Sequence, residues 1–477
     1  FRYLSSSVTT TSTINENWQE GAITGDFNPN PTFGTHITGG IVNGTVGVVD
    51  GDGFDETSTG NPSMWSWNES IQDWASIPNT MPKTFNVGDA YAVLIRGDRS
   101  ASLNSNTLAG PSTTLRTTGQ IHVGDFEVTG LSNTIGHFNL VGNPYQSQVN
   151  LKQLLDSSNS NSQDLNEQFV YIWDPTLGTL GGYATIDITS VGGNPVPVSS
   201  DANEYLQPQQ AFFVETDGTN PQLTFSEGDK NNGTGQTAVF SEETPNFSVL
   251  DLTLKSDDNR TYDGLRLVYG PDYSNGIDQM DATKFWNYTD NMCILSNNSY
   301  LSVEKRNIPS GNEETTLNLF GFSLNQYHIE GRFYADDPSF SIYLKDHYTG
   351  QTSEILPNIN FSYAFSFDPG IPETMATNRF SLQYGHTTLA VNSHNFGDGF
   401  SLYPNPNSNG NFSIMTTQLS GDVQVEILNL LGQQVFVQNL TVEGQQVNVT
   451  AENLSSGIYV VKLSQAGQIF STKLMVE

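Results

Sequence analysis

The chain has one cysteine, Cys293, among 477 residues. No intrachain disulfide can form, so each domain must be held by its own core or by bound ions. Basic residues are scarce: 18 Lys and Arg stand against 50 Asp and Glu, a formal net charge of −32. Nucleic acid and anionic membrane surfaces are recognised by clustered Lys and Arg, so both are excluded as partners. The acidic excess fits a highly soluble extracellular protein, or one that captures divalent cations. No apolar run approaches the roughly 18 residues that span a bilayer. The chain opens "FRYLSSSVTT" (Phe1–Thr10), without Met, without a signal peptide and apparently in mid-strand. The expectation is the C-terminal part of a longer precursor, or a processed chain.

Catalytic signatures are missing as well. There is no Gly-x-Ser-x-Gly, His-Glu-x-x-His, P-loop or Rossmann fingerprint. The 7 His are scattered, with none at metal-ligand spacing. Carboxylate pairs such as Asp257–Asp258 and Asp336–Asp337 are adjacent in turns. A glycosidase needs two opposed carboxylates set by the fold, and nothing selects such a pair. The chain is read as non-enzymatic, with a catalytic domain before residue 1 left open.

What is abundant points to β-structure. Tyr (19) and Phe (27) suit sheet faces, and 44 Gly with many Asn suit turns. Three blocks separate by pattern. Residues 1–243 carry short strand candidates, each closed by a turn signal: "AYAVLIRG" (Ala90–Gly97), "FVYIWDP" (Phe169–Pro175) and "QAFFVETDG" (Gln210–Gly218). This block has room for two subdomains. Its one good helix candidate is Asn150–Ser158, with Asn150 as N-cap and Leu151, Leu154 and Leu155 on one face. Residues 244–385 open on "FSVLDLTLKS" (Phe247–Ser256), whose alternation predicts a half-buried strand with Leu250, Leu252 and Leu254 inward. Residues 386–395 read as a linker. Residues 396–477 hold five strand candidates with Val423, Val425 and Ile427 inward. The fold expected is all-β: tandem antiparallel sandwiches or jelly rolls, ending in a small immunoglobulin-like β-sandwich.

Two motifs carry candidate chemistry in the first block. "DGDGFDE" (Asp50–Glu56) crowds carboxylates beside glycines, which makes Asp50, Asp52 and Asp55 candidate calcium ligands. It departs from an EF-hand loop, because Phe54 sits where a ligand should be, and a solvated acidic turn is the plainer reading. "MWSWNESIQDW" (Met64–Trp74) sets Trp65 and Trp67 on one strand face. An exposed pair would stack on sugar rings of surface glycans; burial in a core is the commoner fate of such rings.

The last block has an ordered set of marks. "LYPNPNSNGNF" (Leu402–Phe412) contains Tyr403, Pro404, Asn405 and Pro406; "VEILNLLGQQV" (Val425–Val435) contains Gly432; "LSSGIYVVKL" (Leu454–Leu463) contains Gly457 and Tyr459; "TKLMVE" (Thr472–Glu477) contains Lys473. The prolines fix φ and bias their neighbours toward extended geometry, so the first of these is a stiff, presented loop. Gly457 is expected to permit a close backbone approach at a strand start. Taken in this order, the four segments resemble the type A C-terminal sorting domain of the type IX secretion system of Gram-negative bacteria. The final Glu477 departs slightly from the Lys that often ends the family's last strand. The upstream blocks resemble the β-rich regions of large bacterial surface and adhesin-like proteins.

The resemblance implies export across the outer membrane to the cell surface or medium. It implies three partners: an outer-membrane translocon, a shuttle barrel protein, and a surface sortase that removes the domain. The upstream blocks would then act as stalk or adhesion modules. The alternative is a carbohydrate-binding, calcium-stabilised module, or the accessory region of a secreted enzyme.

Overall fold

A computed structural model describes residues 1–22, 28–39, 52–55, 57, 59–103, 110–190, 194–231, 248–310, 313–335, 340–386, 400–407, 410–416, 421–429, 433–442, 446–451, 454–465 and 468–476. The expected boundary at 243/244 and the expected linker 386–395, apart from His386, fall outside these residues. Two compact units emerge, Phe1–His386 and Thr387–Glu477. In both, nearly all of the regular structure among the described residues is β-strand.

In the first unit, the strand Arg2–Ser5 pairs with Ala90–Val93, which continues to Met64–Asn68 and Asp73–Ser76. A second sheet runs in the order Asn194–Val196, Gly182–Asp187, Leu165–Asp174, Ala211–Thr216 and Phe138–Gly142. Aromatic residues on these two sheets meet in one cluster. Tyr3 stacks on Trp173 at 5.1 Å, and Phe213 meets Trp67 at 5.0 Å and Trp74 at 5.9 Å. The predicted helix is present but short, Leu151–Leu154. The Asn150 side chain accepts from the Gln153 N–H as its cap, and Leu151, Leu154 and Leu155 are fully buried. A second helix, Ile14–Trp18, was not expected. Its signal is the capping box Thr13-x-x-Glu16, in which each side chain satisfies the other's backbone N–H.

Residues 248–386 form a sheet of 11 strands. Every neighbouring pair is antiparallel except Thr261–Tyr269 with Ser299–Arg306, which run parallel. The sheet curls so that its two halves share a core. Tyr269 packs on Phe340 at 5.0 Å, Phe365 packs on Phe380 at 4.8 Å, and Leu250, Leu252 and Leu254 lie beneath. The strand Ser248–Lys255 is more than half buried. It sits between Thr261–Tyr269 and Gln326–Tyr334, and on its polar face Asp251 is tied to Arg266 at 2.6 Å and is itself buried.

The two upstream blocks make direct side-chain contacts with each other. Phe285 enters the aromatic cluster of the first block, 4.3 Å from Tyr183 and 4.7 Å from Phe213. The Tyr183 N–H donates to Asn287 Oδ1 at 2.7 Å, and Lys305 pairs with Asp187 at 2.9 Å. At Gly264 a Cβ would stand 2.7 Å from Pro197, so the glycine lets the first block lie against the large sheet.

The second unit has two sheets. One runs Phe400–Tyr403, Asn411–Thr416, Gln446–Thr450; the other runs Gln434–Val442, Gly421–Leu428, Gly457–Gln465, Gln468–Val476. Val423, Val425 and Ile427 do point inward, against Phe412, Ile414 and Val449 of the facing sheet. This is a small β-sandwich. The segment expected as a loop, Leu402–Phe412, instead begins and ends in strands that pair with each other, Leu402 opposite Ile414.

Candidate sorting site

Between those paired strands the chain turns out to solvent and then meets its own last strand. Tyr403 is 74 % exposed, and Pro404, Asn405 and Pro406 are exposed beside it. Both X–Pro bonds, Tyr403–Pro404 and Asn405–Pro406, are cis. The prolines supply no N–H, and the Asn405 side chain takes over that work. Its Nδ2 donates to the Lys473 carbonyl at 2.6 Å, and its Oδ1 accepts from the Met475 N–H at 2.8 Å. The Asn407 N–H then donates to the Met475 carbonyl at 2.8 Å, making a parallel bridge opposite Val476.

Asn407 locks the turn from inside. It is 1 % exposed; its Nδ2 donates to the Asn411 carbonyl at 2.5 Å, and its Oδ1 accepts from the Gly410 N–H at 2.6 Å. Gly410 has φ +76°, the left-handed region that glycine enters without strain. The first and last of the four sequence marks are therefore one physical site, with Tyr403, Pro404, Asn405, Pro406 and Lys473 on its surface.

The other marks have different places. Tyr459 is buried opposite Leu474, and its hydroxyl donates to the Ser455 carbonyl at 2.8 Å. It is a core residue that holds the strand start, not part of the displayed surface. The expected close approach at Gly457 is not there: an added Cβ would meet nothing nearer than 3.9 Å, and its φ lies outside the left-handed region. Gly432 lies outside the described residues. Asn407 was not singled out in the sequence, although an Asn three residues before a Gly in a polar run is a turn signal.

Among the described residues, the upstream candidates do not assemble into a site. Asp55 is the buried partner of Arg99, at 2.6 Å, and it also accepts from Gln19, His36 and the Ile37 N–H. Burial alone would raise its carboxyl, but the bonds from His36 and Arg99 prevail and hold it below the usual value. Both oxygens are thus committed to a guanidinium and not left for calcium. The backbone carbonyl of Asp52 accepts from the Thr80 and Met81 N–H groups, and Asp50 lies outside the described residues. Among the described residues, no group of three His, Cys, Asp or Glu side chains is placed to hold a metal. Trp67 packs in the aromatic cluster and donates from Nε1 to the Phe138 carbonyl at 3.0 Å; Trp65 packs on Phe1 at 5.4 Å. Both are half-buried. Neither is presented as an open stacking face.

Residues 53–384 match a family described as a domain of unknown function (DUF8693). The chain belongs to this family. The match covers well over half of the 477 residues and lies within the unit Phe1–His386. Residues 401–477 match the secretion system C-terminal sorting domain, and this takes in the whole site just described. That tail marks the chain as a cargo of the type IX secretion system, exported across the outer membrane to the cell surface or the extracellular space. It implies contact with that secretion machinery. No curated protein matches the chain. Among the described residues, no helix is long and apolar enough to cross a membrane.

Proposed function

We propose that residues 1–386 are a non-enzymatic adhesion or stalk body, delivered by a tail that presents the loop Tyr403–Asn407 to the outer-membrane translocon and its shuttle barrel protein. A surface sortase would then act on the tail. The observation that carries this reading is the clamp between Asn405 and the terminal strand. A loop pinned at Lys473 and Met475 has little freedom left to lose on binding, so its shape does not depend on the cargo ahead of it.

What supports a non-catalytic body is the use made of three of its buried acids. Asp55, Asp263 and Asp346 are each locked to a cation, Arg99, Lys284 and Arg379, at 2.6 Å, 2.6 Å and 2.8 Å. Calcium has no part in this reading, because Asp55 is taken.

The tail is a compact unit with its own core, so it can be tested apart. Thr387–Glu477 fused to a periplasmic reporter is expected to bring the reporter to the surface of a host with type IX machinery. Retention in the periplasm would overturn the assignment of the signal to this unit.

A further inference from the structure

The strongest unassigned feature is on the outer face of the large sheet. The segment Lys284–Tyr288 is anchored at three points. Lys284 is buried against Asp263 at 2.6 Å, Phe285 lies in the aromatic cluster, and Asn287 holds the Tyr183 N–H. Trp286 and Tyr288 are left facing out, 42 % and 82 % exposed. A segment pinned this firmly holds its aromatic side chains in place before any ligand arrives.

Trp286 does not stand alone. Its ring is 5.1 Å from Tyr300 and 5.1 Å from Phe320, at 69° and 61°. Tyr300 and Phe320 lie on the strands Ser299–Arg306 and Glu314–Phe320, which flank Asn291–Ser296. Leu295 pairs with both Tyr300 and Thr316, and Asn291 pairs with Phe320, so these side chains share one face. The core face carries Ile294, Leu301 and Leu317 instead. Rings meeting at such angles form a corner, not a flat strip. A corner suits a single chain better than an extended crystalline surface.

The same face continues into a cleft. Glu314 and Thr316, on the strand that ends at Phe320, line a cavity of about 450 Å³ together with His347, Tyr348, Asn378 and Arg379. From Phe320 to Glu314 the strand covers about 20 Å at roughly 3.3 Å per residue. Aromatic rings at one end and amide, hydroxyl and carboxylate groups at the other bound a strip of this strand face, with the buried Asn318 between them. Its basic groups are already engaged: His347 contacts Glu314 at 3.0 Å, and Arg379 holds Asp346 at 2.8 Å. With a chain charge of −32, an acidic ligand is disfavoured.

We propose that this strip, from Trp286, Tyr300 and Phe320 to the Glu314–His347 cleft, binds a short run of an uncharged polysaccharide. Apolar C–H faces of a sugar ring would pack in the aromatic corner, and hydroxyls further along the chain would bond to the cleft. The site gives the adhesion reading its ligand class, and it rests on that reading for its setting at the cell surface. Binding itself is a property of the purified chain and needs no export.

The test is affinity electrophoresis of the full chain through gels holding one soluble probe each: β-glucan, xylan, galactomannan or dextran, with polygalacturonate as the acidic control. At least one neutral probe is expected to retard the protein, and Trp286→Ala is expected to abolish that retardation. Tyr300→Ala, which truncates a side chain 40 % exposed, is expected to weaken it at least tenfold and guards against misfolding of the first variant. No retardation by any neutral probe would overturn the proposal. So would equal retardation of wild type and both variants, binding of polygalacturonate alone, or a concentration-dependent dimer lost in Trp286→Ala. Each of these results leaves the reporter-export experiment unaffected, so the two readings can fail separately.

Discussion

The body and the tail solve one problem, folding an Asn- and Gly-rich chain without disulfides, in opposite ways. The body puts charge and aromatic rings inside. Asp263 and Lys284 are 1 % and 3 % exposed in each other's grip, with the Gly264 and Met292 N–H groups completing the carboxylate's bonds at 2.9 Å and 2.7 Å. Phe285, one residue on, joins nine aromatic side chains, three alanines and Leu140, all of them from the first upstream block. The tail keeps a mainly aliphatic core of Val, Ile, Leu and Ala with Phe412, Phe436 and Tyr459, and puts its Asn405 clamp outside. The body's parts are therefore interdependent, whereas the tail's core draws only on the tail. A signal that must work behind any cargo benefits from that independence.

The sharpest way to break the comparison is through the aromatic cluster. Phe213 is fully buried where both blocks meet. Phe213→Ala is expected to cost the body about 3–5 kcal/mol and to leave the tail's transition where it was. Calorimetry or chemical denaturation with one probe in each unit would show this. Equal loss in both units would mean that the cores are not separate. Lys284→Met should rank close behind, again only in the body, because it leaves Asp263 buried without its cation, at about 3–5 kcal/mol.

A smaller effect is expected in the tail. Asn405→Ala removes two hydrogen bonds to the terminal strand; at an exposed position this costs about 1 kcal/mol or less. Its effect on export should be far larger than its effect on the melt, since the loop's shape is lost while the core stays. If export is normal, the clamp is merely structural.

The body also carries a pH dependence. Burial pushes the Glu215 carboxyl up to about 7, despite a hydrogen bond from Thr283, and burial pushes Asp281 up to about 6. A carboxyl whose folded value is raised contributes stability that is whole below its unfolded value, about 4.3 for Glu, and lost as pH rises through the folded value. The body should therefore weaken between roughly pH 4.3 and 7. Glu215→Gln should gain on wild type over that interval, read as melting temperatures at pH 5 and pH 8. A difference that does not widen at pH 8 would place this carboxyl in water.

Much of this was legible along the chain. Leu250, Leu252 and Leu254 announced their inward face by alternation, as did Val423, Val425 and Ile427, because the period of a strand is local. Asn150 announced a cap for the same reason. The opposite face of Ser248–Lys255 was misjudged, because Arg266 and the neighbouring strands cover Asp251 from a distance in sequence. Asp55 read as a solvated turn residue or a candidate calcium ligand, and Arg99, 44 residues away, holds it buried instead. Trp286, Tyr300 and Phe320 could not be grouped at all, since their meeting depends on strand register.

By itself the sequence determined the class of structure, the absence of covalent staples, the acidic character and the export address. These follow from composition, from two-residue periodicity and from short motifs whose meaning travels with the residues. Only the tertiary structure decided that Asn405 fastens the address to the last strand, that Phe285 of the second upstream block enters the aromatic cluster of the first, and that Trp286, Tyr300 and Phe320 meet in one aromatic corner. Each of these joins residues far apart in the chain, and local sequence carries no record of which distant strand will lie alongside.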